Sequence, residues 1–331
     1  MDLVCLGEAL IDFVSVESGV SVGESSGFLK SPGGAPANVA VGAAKLGMRS
    51  AFLGKVGDDP FGIYLRDTFA KHGVDVSGMR LDPDHRTGLA FVSLQNNGER
   101  SFCFFRNPSA DMMYHPADVD NEIIRRAKIF HFGSISMIEE PGYSATLAAV
   151  ETARQAGLLI SYDPNLRPLL WPDLNRAQLN ILQTISTTQI LKISDEELAF
   201  LFGDVTPQNG LNLIMGRYPN LLLAVITLGE NGCVWATKDG KRGSECGNRV
   251  DSIDTTGAGD GFVAGLLTQL VAYHTEPEHM LSLDAAELKR IFAFACGVGA
   301  MCTTIRGAIP SMPTLDQVEQ FLSLQMIPNH R

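Results

Sequence analysis

The sequence predicts an α/β fold in which helices cover both faces of a mostly parallel sheet, with a second, smaller sheet standing apart. Three observations carry this reading. Short apolar runs alternate with helical stretches for most of the 331 residues, the order that parallel sheets with crossover helices produce. Helix–Gly–strand successions such as "TARQAGLLISYD" recur, as such crossovers require. Residues 12–33 and 86–106 break the rhythm with short alternating segments and no accompanying helices.

Taken in order, "LVCLGEAL" (3–10) reads as the first buried strand and "PANVAVGAAKLG" (36–47) as a helix. "SAFLGKV" (50–56) is the next strand, followed by a helix over "FGIYLRDTFAKHG" (61–73). In "RTGLAFVSLQNNGERSFCFFR" (86–106), "NNGE" supplies a hairpin turn between two strands of period two. "KIFHFGS" (128–134), the helix "GYSATLAAVETARQAG" (142–157), "GLLISYD" (157–163), "QILKIS" (189–194) and "LLLAVITLG" (221–229) restore the parallel pattern. Beyond Asp260, the residues Phe262, Val263, Leu266, Leu267, Leu270 and Val271 recur at helical spacing, which starts a helix near residue 258. Residues 1–11, 34–85 and 107–331 then form the large domain, and 12–33 with 86–106 the small sheet.

Hydrophobic residues make up 45% and charged residues 19%, the profile of a soluble globular protein. A net charge of −11 argues against a nucleic-acid surface, which needs clustered Lys and Arg. It leaves room for a small phosphorylated ligand, because a local nest of donors overrides the global sign. No apolar run approaches the ~18–20 residues that span a bilayer. "MDLVCLGEALIDF" lacks a basic n-region and cleavage site, so a cytoplasmic protein without membrane partners is expected. None of Cys5, Cys103, Cys233, Cys246, Cys296 and Cys302 forms a CxxC pair, so reduced thiols are expected and neither a zinc site nor a disulfide framework is supported.

The chemistry concentrates in "DTTGAGDGFVAGLL", Asp254 to Leu267. A nearly side-chain-free loop enters a helix whose free N–H groups and positive dipole end make an anion site. Gly257, Ala258 and Gly259 supply the amides, and Asp260 stands at the helix mouth. There is no G-x-x-x-x-G-K-[ST] loop and no G-x-G-x-x-G after the first strand, so neither a Walker site nor a dinucleotide fingerprint explains it. A second cluster, "SPGGAPANVAVGAAKLG", places Gly33 and Gly34 before a helix carrying Asn38, whose amide both donates and accepts. Together the clusters suggest a polyol facing a phosphate donor.

These segments resemble the ribokinase-like (PfkB) carbohydrate kinases over nearly the whole length, from "GEALID" to "RGAIPSMPT". "GGAPANVAVGAAKLG" with "GKVGDDPFG" looks like the N-terminal signature, and "DTTGAGDGFVAGLL" matches the C-terminal one. The resemblance implies the ribokinase-like three-layer α/β/α fold with the small sheet as a lid, and ATP with Mg²⁺ as cofactors. It implies Asp260 as general base, with the amides of Gly257, Ala258 and Gly259 at the transferring phosphate and the catalytic Arg167 side chain near that phosphate or the sugar. Asp12, at the end of the first strand, Gly33, Gly34, Asn38, Phe104 and Arg106 fall to the sugar. Thr227, Gly229 and Gly232 in "ITLGENGC" fall to the nucleotide, together with Ser194 and Cys296, which stand where many members have Asn. Glu197 would organise Mg²⁺ through water. A potassium ion would sit behind the loop, held by Asp254 and the backbone around Thr256, Cys302, Ile305, Gly307 and Ser311.

Within the family, "GEALIDF", "SPGGAPANVA", "FRNPSADMM" and "DPNLRP" look most like fructokinases, which implies phosphorylation of D-fructose by ATP. Phe104 and Phe105 stand where acid-binding relatives carry tyrosines, favouring a neutral sugar over 2-keto-3-deoxygluconate; ribose is the other alternative. From other classes stand an idle sugar-binding regulator, which would be free to lose Asp260, and a dehydrogenase, which the missing fingerprint opposes. An uncovered face formed by Val92, Leu94, Phe102 and Phe104 would pair two lids into a homodimer.

Overall fold

The computed structural model describes residues 1–94, 100–272 and 277–325. Its strands are β1 (Leu3–Leu6), β2 (Leu10–Ser18), β3 (Phe28–Gly33), β4 (Ser50–Gly57), β5 (Met79–Asp82), β6 (Gly88–Leu94), β7 (Arg100–Phe105), β8 (Ile129–Phe132), β9 (Leu159–Tyr162), β10 (Ile190–Ser194), β11 (Leu223–Thr227), β12 (Cys233–Thr237) and β13 (Arg242–Glu245). Nine of them form one sheet in the order β13-β12-β11-β10-β9-β8-β1-β4-β5, and four form another in the order β3-β2-β6-β7. From β11 to β5 every pairing in the large sheet is parallel, and β12 and β13 add an antiparallel edge.

Strand alternation divides the core between the two faces of this sheet. Leu3 and Cys5 of β1 join the cluster under the helices Ala35–Lys45, Ala258–Ala272 and Ala285–Cys302. Val4 and Leu6 join the cluster under Gly142–Gln155, Leu174–Ile185 and Pro207–Arg217. A strand buried on both faces reads as a continuous apolar run, which is why these strands were visible as such. Among the described residues no helix is long and apolar enough to cross a membrane.

Several expectations change in detail. The run "LVCLGEAL" is not one strand: β1 ends at Leu6, and Gly7 to Ala9 carry the chain into the small sheet at Leu10. Asp12 therefore lies inside β2, paired with Ser31 and Ala90, rather than at the end of the first strand. Strands β5, β12 and β13 have no counterpart in the sequence reading, although Asp239-Gly240 between the last two is a turn signal. The "NNGE" turn lies outside the described residues.

The small sheet also presents a different face from the one expected. Asp12, Val14, Val92 and Phe104 point into a cavity against the large domain. The opposite face stacks Phe13 on Phe91 and sets Phe13 edge-on to Phe61 of the helix Pro60–Lys71. Period two defines two faces, but only the seating of the sheet on the large domain decides which one is inward. "GKVGDDPFG" helps fix that seating. Asp59 caps the helix Pro60–Lys71 through Phe61 and Gly62 N–H, and accepts Thr87 N–H and Oγ1 at 2.8 Å, pinning the entry to β6.

Candidate active site

Asp260 sits in the first turn of the helix Ala258–Ala272 and is 8% exposed. Asn38, on the helix Ala35–Lys45, donates from Nδ2 to its Oδ2 at 2.8 Å, joining the two glycine clusters across 222 residues. Burial pushes the Asp260 carboxyl up to about 6; Asn38, Arg167 and Lys192 hold it down, and Asp163 adds to the rise. The dipole at the helix N-terminus does not offset this burial, so this carboxyl is poised near neutrality rather than at an ordinary carboxylate value.

The cavity beside Asp260 has a volume of about 260 Å³. The small sheet lines it with Asp12 and Phe104, the first helix entry with Gly34 and Asn38, and the loop after β9 with Asp163, Asn165 and Arg167. Gly257 and Gly259 close it from the anion loop. Of the three expected amide donors Ala258 departs: its N–H turns to the Thr255 carbonyl at 3.3 Å. Gly257 has φ +83, and a Cβ there would stand 2.7 Å from the Ala308 Cβ, so the loop's path depends on glycine.

The glycine pair 33–34 has an equally direct cause. A Cβ on Gly33 would lie 2.3 Å from Asp12 Oδ2, and one on Gly34, at φ +115, would lie 2.2 Å from the Glu8 carbonyl. The pair lets a carboxylate and a backbone crossing share one small space.

Lys192 is a site residue that the sequence reading passed over. It donates from Nζ to Asp163 Oδ2 at 3.0 Å, and a Cβ on Gly259 would be 3.2 Å from that Nζ. Burial works to lower its pKa, but Asp163, Glu197 and Asp260 outweigh burial and raise it, so it stays a cation beneath the anion loop. A lone lysine inside the apolar run "QILKIS" was the available signal.

Arg106 is placed differently from the expectation. Its guanidinium is taken by Asp111, five residues on, and it lines a neighbouring hollow with Phe104 and Leu170 instead of the cavity holding Asp260. Glu197 also has another task. Its Oε1 accepts Leu166 N–H at 2.8 Å and its Oε2 accepts Ser194 N–H at 2.7 Å, which anchors the loop carrying Arg167 to the start of the helix Asp195–Phe202. Among the described residues no group of three His, Cys, Asp or Glu side chains could hold a metal ion.

Comparison with known proteins decides the class. The profile of the pfkB family carbohydrate kinases matches residues 1–315. The chain belongs to this family. It is 49% identical to a probable fructokinase-2 of Arabidopsis thaliana, over 98% of this chain and 96% of that one. It is 48% identical to fructokinase-2 of Solanum habrochaites, over 95% and 94%. Among solved structures it resembles a fructokinase of Xylella fastidiosa with bound ATP (TM-score 0.88, 32% identity, 98% of each chain). It also resembles a fructokinase double mutant of Vibrio cholerae O395 in a fructose-, ADP- and potassium-bound form (TM-score 0.86, 35% identity, 97% and 98%).

Of the residues expected to serve the nucleotide, Ser194 and Thr227 stand opposite each other at the ends of β10 and β11. Gly229 and Gly232, at φ +56 and +90, form the tight turn that follows. Cys296 is buried with its Sγ 3.8 Å from that of Cys233. These residues lie at the carboxyl edge of the sheet, where ligands of open α/β folds bind, but they do not line the cavity around Asp260. Asp254 clamps two loops: Oδ1 accepts Thr256 N–H and Oγ1 at 3.0 and 2.7 Å, and Oδ2 accepts Gly307 N–H at 2.9 Å. Close by, Ser311 donates to the Ala308 carbonyl and the Cys302 thiol lies 3.6 Å from Met312 Sδ, while Ile305 is exposed.

Proposed function

We propose that the chain is an ATP-dependent fructokinase, transferring the γ-phosphoryl of MgATP to the primary hydroxyl of D-fructose to give fructose 6-phosphate. The observation that carries the chemistry is the buried Asp260, held by Asn38 at the head of a glycine loop in a cavity that also opens on Asp12. The choice of sugar rests on the plant and bacterial fructokinases to which the chain is similar.

Asp260 accepts the hydroxyl proton as the sugar oxygen attacks the γ-phosphorus, and the bond to the ADP oxygen breaks. A carboxylate with a pKa of about 6 is mostly ionised above neutrality and binds a proton more readily than a free one. The amides of Gly257 and Gly259 and the Arg167 guanidinium meet the charge on the moving phosphoryl, where preorganised donors contribute most. Lys192 fixes Asp163 and adds a buried positive charge beneath that loop. Magnesium would be held by the nucleotide's phosphates and its own waters and would neutralise charge there. Potassium would be held behind the loop, where the Asp254 clamp joins 254–256 to Gly307.

The small sheet acts as a lid that excludes water from the phosphoryl donor. Its exposed Val16 and Leu29, at 47 and 56%, share the face that carries Val14 and are the surface a second copy of the chain covers. A monomer in light scattering at micromolar concentration removes the dimer. The six free cysteines suit a reducing compartment such as the cytoplasm.

A coupled ADP-release screen over fructose, ribose, 2-keto-3-deoxygluconate, glucose and adenosine tests the assignment, with Asp260→Asn as control. Fructose is expected to give the highest kcat/KM, and the variant to lose about 10²–10⁴-fold in turnover while it still binds sugar. A different preferred acceptor overturns the substrate. Near-normal turnover by Asp260→Asn overturns the base.

A further inference from the structure

The mechanism leaves one buried acid unused. Glu8, the second residue of "GEALID", is 3% exposed at the crossing between β1 and β2, and it lines the cavity that holds Asp260. Its two oxygens are treated differently. Oε1 accepts Ala35 N–H at 2.8 Å, fixing the first turn of the helix that carries Asn38. Oε2 is buried without a partner. Asn38 Oδ1, on the same cavity, is also buried without a partner.

A cap on Ala35 explains only one of these oxygens. An unpaired buried acceptor is costly, and Oε2 has no hydrogen-bond partner. The opposite charge that acts on it is Arg106, whose guanidinium is committed to Asp111. Burial pushes the Glu8 carboxyl up to about 7, against the pull of its own backbone N–H, of Ala35 N–H and of Arg106, so the group stands ready both to accept and to donate. A sugar hydroxyl is a partner that suits either state, and two orphaned acceptors on one wall call for a ligand carrying several hydroxyls.

We infer that Glu8 is a specificity-determining residue of the sugar site, its Oε2 paired with a fructose hydroxyl other than the one Asp260 deprotonates. The inference rests on the fructokinase reading, and the experiment separates the two. Fructose and its monodeoxy analogues are titrated calorimetrically into the full-length protein without nucleotide, for the native chain and for Glu8→Ala. In the native protein at least one analogue is expected to bind about tenfold or more weakly than fructose, because a site built for a hydroxyl rejects the analogue lacking it. In Glu8→Ala that one penalty falls to within about twofold while the others persist, and MgATP affinity stays within about twofold. Should the alanine variant fail to fold, Glu8→Gln keeps the Ala35 acceptor and is expected to change the same penalty by about fivefold or more. Penalties that match those of the native protein in the folded variant overturn the role of Glu8 and leave the kinase reading intact. A native protein that binds no fructose overturns the substrate and this inference together.

Discussion

Replacing Asn38 by alanine tests how Asp260, the proposed catalytic base, is tuned. Asn38 Nδ2 donates to Asp260 Oδ2 at 2.8 Å and opposes the burial that pushes this carboxyl up to about 6. A hydrogen bond to a charged group contributes about 1.5–3 kcal/mol. One pH unit corresponds to about 1.36 kcal/mol, so losing the bond moves the acid limb of kcat/KM up by about one to two pH units. The direction follows from the reaction. Asp260 accepts a proton only when ionised, and its protonated form accumulates as pH falls through the pKa, so activity drops about tenfold per pH unit below the limb. With the donor gone, the decline begins at a higher pH. The assay is kcat/KM for fructose at saturating MgATP across about pH 5 to 9, a range that brackets both limbs. Any sugar contact made by Asn38 lowers kcat/KM by the same factor at every pH, so the two roles separate in one profile. A limb that stays near pH 6 in Asn38→Ala refutes the claim that this amide holds the base.

Other perturbations reach the rest of the site. Lys192→Met leaves Asp163 buried without its cation, a loss of about 3–5 kcal/mol. With about 2.1 cal/mol/K of unfolding entropy per residue over 331 residues, the calorimetric Tm falls by about 4–7 °C. The acid limb also rises, because Lys192 helps hold the Asp260 pKa down; an unchanged Tm and limb count against the pair. Gly33→Ala sets a methyl 2.3 Å from Asp12 Oδ2 and is expected to raise the fructose KM about tenfold with the MgATP KM little changed. Equal effects on both constants would place the damage in the fold instead of the sugar site. Replacing potassium by sodium or choline is expected to lower kcat severalfold, and equal rates in the three buffers remove the ion from behind the loop.

What was legible in the sequence is what local chemistry dictates. Gly257 before Asp260, and Gly33 and Gly34 before Asn38, must be small because a neighbouring loop, a carboxylate or a backbone carbonyl lies where a Cβ would stand, so residue type alone reveals the site. Parallel strands buried on both faces show as apolar runs, and the alternation of helix and strand follows. What was hidden depends on partners distant in the chain. Lys192 acquires meaning only from Asp163, 29 residues earlier, and Glu8 from Ala35. Arg106 was misplaced for the opposite reason: Asp111 captures it locally, which period-two reading of a strand does not register. The inward face of the small sheet was likewise set by tertiary seating, not by the alternation that both faces share.

A charge of −11 and a highly anionic nucleotide raise a question that the site itself answers. The cavity is lined by six acids, Glu8, Asp12, Glu17, Asp163, Asp254 and Asp260, against Arg167, Lys192 and Arg306. Most of these acids are already engaged. Asp163 faces Lys192, Asp254 is filled by Thr256 and Gly307, and Asp260 is held by Asn38. Burial keeps Glu8 partly protonated near neutrality. Among the described residues neither Arg167 nor Arg306 is held by a carboxylate, so both cations remain available beside the glycine amides. The field an incoming phosphate meets is thus set by the uncommitted groups, not by the count of acids. The same arrangement suits the role proposed for Asp260. In open solvent it would be one more repelling charge, whereas a desolvated base would take the sugar proton and become neutral as the phosphoryl moves across.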